Sequence, residues 1–221
     1  MWNKWNLTER LLEGLRKNEA ENIDEIHIVD NGSEFPNEVK DLNMWGAYYN
    51  SVCFNVYVHR LERNLGFTLG ANHGLKSACK YTEERDLIFL ISNDVQINGK
   101  FIEQAESVLL QPNPALVGNR HINFDSGWNL HGEILYDYLE GYFLATTKLG
   151  WQELGFFDPN YAPYDAEDID LSTTAKKKGY KLVSLNNPNV VHQNGGTIGF
   201  NPERERITKR NMGYFKNKWA G

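Results

Sequence analysis

Two short stretches of this chain gather oxygen-bearing side chains in patterns that can do chemistry. The first is Ser92-Asn93-Asp94, directly after the apolar run Leu87-Ile88-Phe89-Leu90-Ile91. Such a run reads as a strand buried on both faces of a sheet. In open α/β sheets, ligands bind at the carboxyl ends of strands. A carboxylate beside two neutral oxygen donors suits a hard divalent cation that in turn holds phosphates. The same tripeptide also suits a plain polar turn capping a helix that begins near Asn98. The second stretch is Tyr164–Leu171, where Asp165, Glu167, Asp168 and Asp170 fall within six positions. The first turn of a helix favours acidic residues through its macrodipole, and Asp165 with Asp168 could form a capping pair. Four carboxylates in six residues exceed what capping needs. Their repulsion raises some of their pKa values unless a cation or a reacting group compensates. A carboxylate held in that way can take a proton from a substrate.

The elements that must position these stretches alternate along the chain. Leu7, Leu11, Leu12 and Leu15 share one helical face, with Asn6 and Glu9 placed as an N-cap pair. Glu25–Asp30 reads as a strand that ends in Asp30-Asn31-Gly32-Ser33, a sequence that also suits an ordinary turn. Val39, Leu42 and Tyr49 mark a second helix, and Phe54–Val58 a second strand. Arg63-Asn64-Leu65-Gly66-Phe67 then leads into a helix carrying Leu69, Leu75 and Ala78. Its glycines at 66, 70 and 74 each cost up to about 1 kcal/mol in a helix interior. They permit either close approach of a ligand or tight helix–strand packing. Helix, strand, helix, strand, helix, strand predicts parallel βαβ units and a layered α/β fold. Asp30, Asn64 and Asp94 then share one sheet edge, as a nucleotide-binding crevice requires.

After a helix with Phe101, Ile102, Ala105 and Leu109, residues 112–140 turn to Pro, Asn, Gly and His around the apolar Ala115–Val117. Gly141–Thr147 reads as a strand and Leu149–Leu154 as a short helix. A further helix starts near Ala166 and ends at Gly179. Lys181–Leu185 and Pro188–His192 close the core, and Pro202–Trp219 is a basic amphipathic helix.

With 221 residues and no linker-like stretch, the chain reads as one domain. A net charge of −6 argues against non-specific nucleic-acid binding. The basic runs Lys176–Lys178 and Arg204–Arg210 read as solvated helix faces. Cys53 and Cys79 form no disulfide framework and have no metal-ligand spacing. No apolar run approaches a membrane span and no signal-peptide core is visible, so a soluble, cytoplasmic protein is expected.

Four segments, taken in order, resemble the inverting GT-A glycosyltransferases of family 2, particularly the rhamnosyltransferase-like branch. They are Ile26–Ser33 (ending V-D-N-G-S), Arg63–Leu75 (R-N-L-G-F-x-x-G-A-N-x-G-L), Phe89–Val95 (F-L-I-S-N-D-V) and Gly155–Leu171 with G-F-F-D-P and E-D-I-D-L. His192 follows at the family's spacing, and the resemblance spans residues 2 to 219. It implies a three-layer GT-A fold with a mostly parallel central sheet. Residues 1–110 would form the nucleotide-sugar half and 111–221 the acceptor-binding, catalytic half. It implies a nucleotide-diphosphate sugar donor, a glycan or other hydroxyl acceptor, and Mn²⁺ or Mg²⁺. Asp30 would contact the base, and Asn3, Asn31, Asn64, Gly66 and Asn93 would line the donor pocket. Asp94 and His192 would hold the metal on the diphosphate, assisted by helix N-termini, and Asp168 would be the general base with Glu167 as runner-up. Trp128, His131 and Tyr136 could stack on an acceptor sugar or simply pack.

Two departures stand out. Ser92 occupies the first acidic position of the D-x-D motif, so the metal site carries less charge. Trp2-Asn3-Lys4 resembles a turn that normally follows a first strand, yet no strand precedes it, and Glu25–Val29 is therefore expected centrally or one place from a sheet edge. Two other readings compete. A sugar-nucleotide pyrophosphorylase would need a Gly-rich basic loop near the amino terminus, and none is visible. A degenerate homologue that only binds nucleotide or glycan fits the weakened D-x-D but not the intact E-D-I-D.

Overall fold

The computed structural model describes residues 1–34, 54–122, 137–193 and 201–220. The expected helix with Val39, Leu42 and Tyr49, the residue Cys53, and the acceptor candidates Trp128, His131 and Tyr136 lie outside them.

Helix α1 (Trp5–Glu19) opens the chain, followed by β1 (Glu25–Asp30), β2 (Asn55–Arg60), α2 (Gly66–Ala78), β3 (Leu87–Ile91) and β4 (Val95–Ile97). Then come α3 (Ile102–Leu109), β5 (Ala115–Gly118), β6 (His121–Ile122), β7 (Tyr138–Leu139), β8 (Phe143–Thr147) and α4 (Lys148–Leu154). The chain continues with α5 (Glu167–Lys177), β9 (Lys181–Ser184), β10 (Val190–His192) and α6 (Pro202–Trp219). Lys4, not Asn6, stands at the N-cap of α1, and no side chain caps it. The helix starts two residues earlier than expected, set by burial of Trp5, Leu11, Leu12 and Leu15.

The central sheet runs β3-β8-β5-β9. It is mixed: β8 is antiparallel to both neighbours, while β5 and β9 are parallel, as are β1 and β2. Alternation along each strand sends side chains to opposite faces. Phe143, Ala145, Ala115 and Val117 pack with Leu11, Leu15, Ile102 and Ala105 in the α1–α3 layer. Leu144, Leu116 and Ile88 pack with Leu75, Trp151, Leu171 and Ala175 in the layer of α2, α4 and α5. That division makes three layers.

β3 was expected to be buried on both faces, yet only Ile88 is fully buried along it. The reason lies at its edge. Among the described residues β3 pairs only with β8, and β1 pairs with β2. β1 and β3 both line one cavity along their lengths. On the cavity side β1 meets Met1, whose ammonium donates to Val29 O at 2.6 Å and whose carbonyl accepts from Asn31 N at 2.8 Å. Burial pulls that ammonium down to about 6, against the attraction of Asp30.

Helix α3 has no cap of its own, because Phe101 precedes it. Glu19, 1% exposed, supplies one from the end of α1. Its Oε1 accepts from Phe101 N and from Ile102 N, the latter at 3.0 Å, and Asn22 Nδ2 donates to its Oε2 at 2.8 Å. These are orphan donors that any helix start must satisfy.

Two measurements follow from these contacts. Glu19→Ala leaves two buried N–H groups unpaired and is expected to lower unfolding free energy by about 2 kcal/mol or more in urea titrations, with Glu19→Gln milder. An unchanged midpoint in Glu19→Ala would exclude the cap. Five Val and Ile residues fused directly ahead of Met1 convert the buried ammonium to an amide and offer both edges a partner. Thermal melting should rise relative to the unfused chain, and not rise when alternate fused residues are proline; equal gains from both fusions would refute edge pairing.

Candidate active site

The two chemistry-bearing stretches open into the same cavity, about 2660 Å³ in volume, which Asn64, Asp94, Glu140, Asp168 and His192 help to line. Ser92-Asn93-Asp94 is the turn between β3 and β4, closed by Val95 N donating to Ser92 O at 3.1 Å. It does not cap α3, which starts at Ile102. β10 pairs antiparallel with β4 and sets His192 opposite Val95. His192 Nε2 thereby lies 3.4 Å from Asp94 Oδ1, although 98 residues separate them in sequence. The imidazole stacks on Tyr142, with ring centroids 4.1 Å apart and planes 13° from parallel. Asn93 reaches instead toward α1, its Nδ2 3.4 Å from Thr8 Oγ1.

Chemically, Asp94 and His192 offer a cation two protein donors. One carboxylate and one imidazole fit Mn²⁺ or Mg²⁺ when phosphate oxygens complete the shell, as is usual where few protein ligands are offered. Among the described residues no group of three or more His, Cys, Asp or Glu could hold a metal by itself.

The acidic stretch is resolved by cations from α6. Arg204 grips Asp165 with Nη2 at 2.8 Å and Nε at 3.1 Å, and Thr208 Oγ1 donates to the same carboxylate at 2.6 Å. Asp170, 3% exposed, accepts from Lys218 Nζ at 2.9 Å, Trp219 Nε1 at 2.8 Å and Tyr161 Oη at 3.0 Å. Reading Arg204–Arg210 as a merely solvated face missed this, because Arg204 faces inward and is half-buried. The spacing of Arg204, Thr208 and Asn211 on one helical face was the available signal. Asn211, fully buried, donates through Nδ2 to the carbonyls of Tyr161, Tyr164 and Asp165 at 2.7–2.8 Å. It braces a loop in which Asp165 and Ala166 both hold positive φ, 72° and 74°. Ala166 is the N-cap of α5 and no side chain caps it, so the capping pair of Asp165 and Asp168 is absent.

Two carboxylates remain without a cation. Glu167 is buried, its Oε2 has no hydrogen-bond partner, and burial with the neighbouring charge of Asp168 holds its pKa well above the usual range. Asp168 is half-buried, its Oδ2 accepting from Gly141 N at 2.9 Å and its Oδ1 from Ile169 N at 2.8 Å. Burial raises its pKa to about 7, outweighing the two amides that favour the ionised form. Gly141 leaves little room for a side chain, since a Cβ there would stand 3.2 Å from Asp168 Cβ. No sequence pattern announced the roles of Gly141 and Tyr142.

The nucleotide-side residues divide into those that line the cavity and those that brace it. Asp30 is fully buried and committed to its own chain, accepting from Arg60 Nη1 at 2.7 Å and Ser33 N at 2.9 Å. Asn3 accepts from Glu34 N at 2.8 Å and donates its amide N–H to Ser33 Oγ at 3.0 Å. Asn31 lines the cavity but also spans Gly66 O and Leu65 N, at 3.0 and 2.9 Å. Asn64 accepts from Gly66 N at 2.8 Å, and Thr68 N donates to Pro163 O at 3.1 Å. These bonds satisfy two of the four amides that open α2. The glycines of α2 serve packing: Gly66, at φ 81°, abuts Pro163, and Gly70 and Gly74 abut Asn31 and Val29.

Comparison with known proteins adds to this geometry. The structure is similar to a mannosyltransferase, PcManGT from Pyrobaculum calidifontis, solved in complex with GDP-Man and Mn²⁺ (TM-score 0.60, 16% identity, 83% of this chain and 52% of that one). It is similar to residues 1–349 of TarS from S. aureus (0.63, 14%, 98% and 70%). It is also similar to GalNAc-T7, solved with UDP, GalNAc and Mn²⁺ (0.66, 14%, 81% and 40%). This chain thus spans about half of the first and less than half of the third. The fold they share is the GT-A glycosyltransferase fold. No curated protein sequence matches significantly. The profile of "Glycosyl transferase family 2" matches residues 1–171, more than three-quarters of the chain, and with it the strand-end turn at Asp94 and the Glu167-Asp168 pair; the chain belongs to glycosyl transferase family 2.

Proposed function

We propose that this chain transfers a sugar, hexose or deoxyhexose, from a nucleoside-diphosphate sugar to an acceptor hydroxyl, inverting the anomeric centre. The rhamnosyltransferase-like motifs incline the sugar toward the deoxyhexoses. The observation that carries the reading is Asp168: a carboxylate oriented by Gly141 N, open to the cavity, with a pKa near working pH. Its carboxylate takes the proton from the acceptor hydroxyl. The freed oxygen forms its bond to the anomeric carbon as the bond to the diphosphate breaks, and that electron pair leaves with the diphosphate. Asp94 and His192 would hold a divalent cation, which when bound neutralises charge on the leaving diphosphate. Burial of Glu167 disfavours a second negative charge beside the base. A glycan acceptor is the simplest match to this chemistry.

General-base assistance is worth about 10²–10⁴-fold. Asp168→Asn is therefore expected to lower transfer at least about a hundredfold while nucleoside-diphosphate binding survives. Near-normal turnover with a confirmed donor and acceptor would move the role to Glu167. In the wild type, kcat/KM should climb with pH and level off above about 7. The folded-state pKa of Asp168 is raised from 3.8, so the folded protein holds a proton that the unfolded chain releases. Stability should consequently fall as pH rises from about 4 to 7, and Asp168→Asn should flatten both curves.

The cation site has its own test. Nucleoside-diphosphate affinity should tighten with Mn²⁺, and Asp94→Ala should abolish that gain without changing the melting profile. Equal, metal-independent affinity in both proteins removes the metal from the reaction.

A further inference from the structure

Of the carboxylates that line the cavity and have no part in these steps, one directly precedes the residues that touch Asp168 and His192. Glu140 stands between β7 and β8, and the two residues after it, Gly141 and Tyr142, touch Asp168 and His192 respectively. Its backbone N–H donates to Arg120 O at 3.1 Å, which fixes the turn. Its side chain lines the cavity and is three-quarters buried, at 24% exposure. Its Oε2 is fully buried and accepts no hydrogen bond; Arg120 Nη1 forms an ion pair with it at 3.6 Å, beyond hydrogen-bond range. Through Gly141 it stands beside Asp168, and through Tyr142 beside His192. It therefore neighbours both ends of the site.

In-line displacement sets the departing diphosphate oxygen and the entering hydroxyl on opposite sides of the anomeric carbon. The first belongs with Asp94 and His192, the second with Asp168. A group that neighbours both faces the sugar in transit. Buried carboxylate oxygens are ordinarily satisfied by donors, and sugar hydroxyls are donors that an ionised carboxylate binds with charge-assisted strength. We propose that Glu140 accepts a hydrogen bond from a hydroxyl of the sugar being transferred, making it a specificity-determining residue for the donor. This rests on the transferase reading above.

The test is calorimetric titration of the full chain, with Mn²⁺, against UDP, GDP and dTDP and against their hexose and deoxyhexose derivatives. The wild type should bind one nucleotide sugar. Glu140→Ala should weaken that nucleotide sugar by about tenfold or more and leave the parent nucleoside diphosphate unchanged, with Glu140→Gln intermediate. On the wild type, derivatives of the same donor that each lack one hydroxyl should show a comparable loss at a single position, a readout independent of any variant's folding. The proposal is overturned by equal losses for sugar nucleotide and diphosphate in Glu140→Ala, or by loss of transfer with donor affinity intact. It is also overturned if every single-hydroxyl deletion costs nothing. A wild type that binds no nucleotide at all removes the transferase reading first, a result distinct from each of these.

Discussion

Everything in this molecule leans on β8. It is hydrogen-bonded on both edges, antiparallel to β3 and to β5, and its residues Phe143 to Ala145 have no exposed surface. Alternate side chains feed the two helical layers, so neither layer can shift without repacking the other. Ser92 N donates to Tyr142 O at 2.8 Å and extends the same pairing to the end of β3. The residues just before β8 inherit that rigidity. Gly141 presents its N–H to Asp168, and Tyr142 presents its ring to His192. A strand held on four sides thus fixes Asp168 relative to His192.

The acidic loop before α5 is held by a second constraint, and it is electrostatic. Four carboxylates so close together repel, and α6 neutralises two of them. Arg204 takes Asp165 and Lys218 takes Asp170, while Asn211 ties down the intervening carbonyls. The other two stay uncompensated, and burial raises their pKa values. Burial is the larger cause, and it brings the Asp168 pKa to about 7. The carboxyl-terminal helix lies beyond the matched family profile, yet it supplies the cations that pair with two carboxylates inside it.

Much of this was legible in the sequence. Periodicity located the helices and strands, and α6 begins and ends where its basic amphipathic pattern does, at Pro202 and Trp219. Residue type at strand and helix ends marked Ser92-Asn93-Asp94 and the four carboxylates from Asp165 to Asp170, and family resemblance singled out Asp168, Glu167 and His192. Those signals are local, since a period of 2 or 3.6 residues states which faces are apolar. Tertiary structure decided the rest. Alternation cannot state a strand's direction, so the reversal of β8 within the sheet was invisible. Nor can it state what lies at a strand's edge, and β3 proved only partly covered. Asn6 looked like a cap, but burial of Trp5 began the helix sooner. Asp30 stood out at a strand's end, and only the fold shows that Arg60 meets it across a parallel pair. Arg204 looked solvated until its helix packed against Asp165, 39 residues away. Ion pairs, caps supplied from another helix and the cavity itself join residues far apart in sequence, and only closure of the chain brings those partners together.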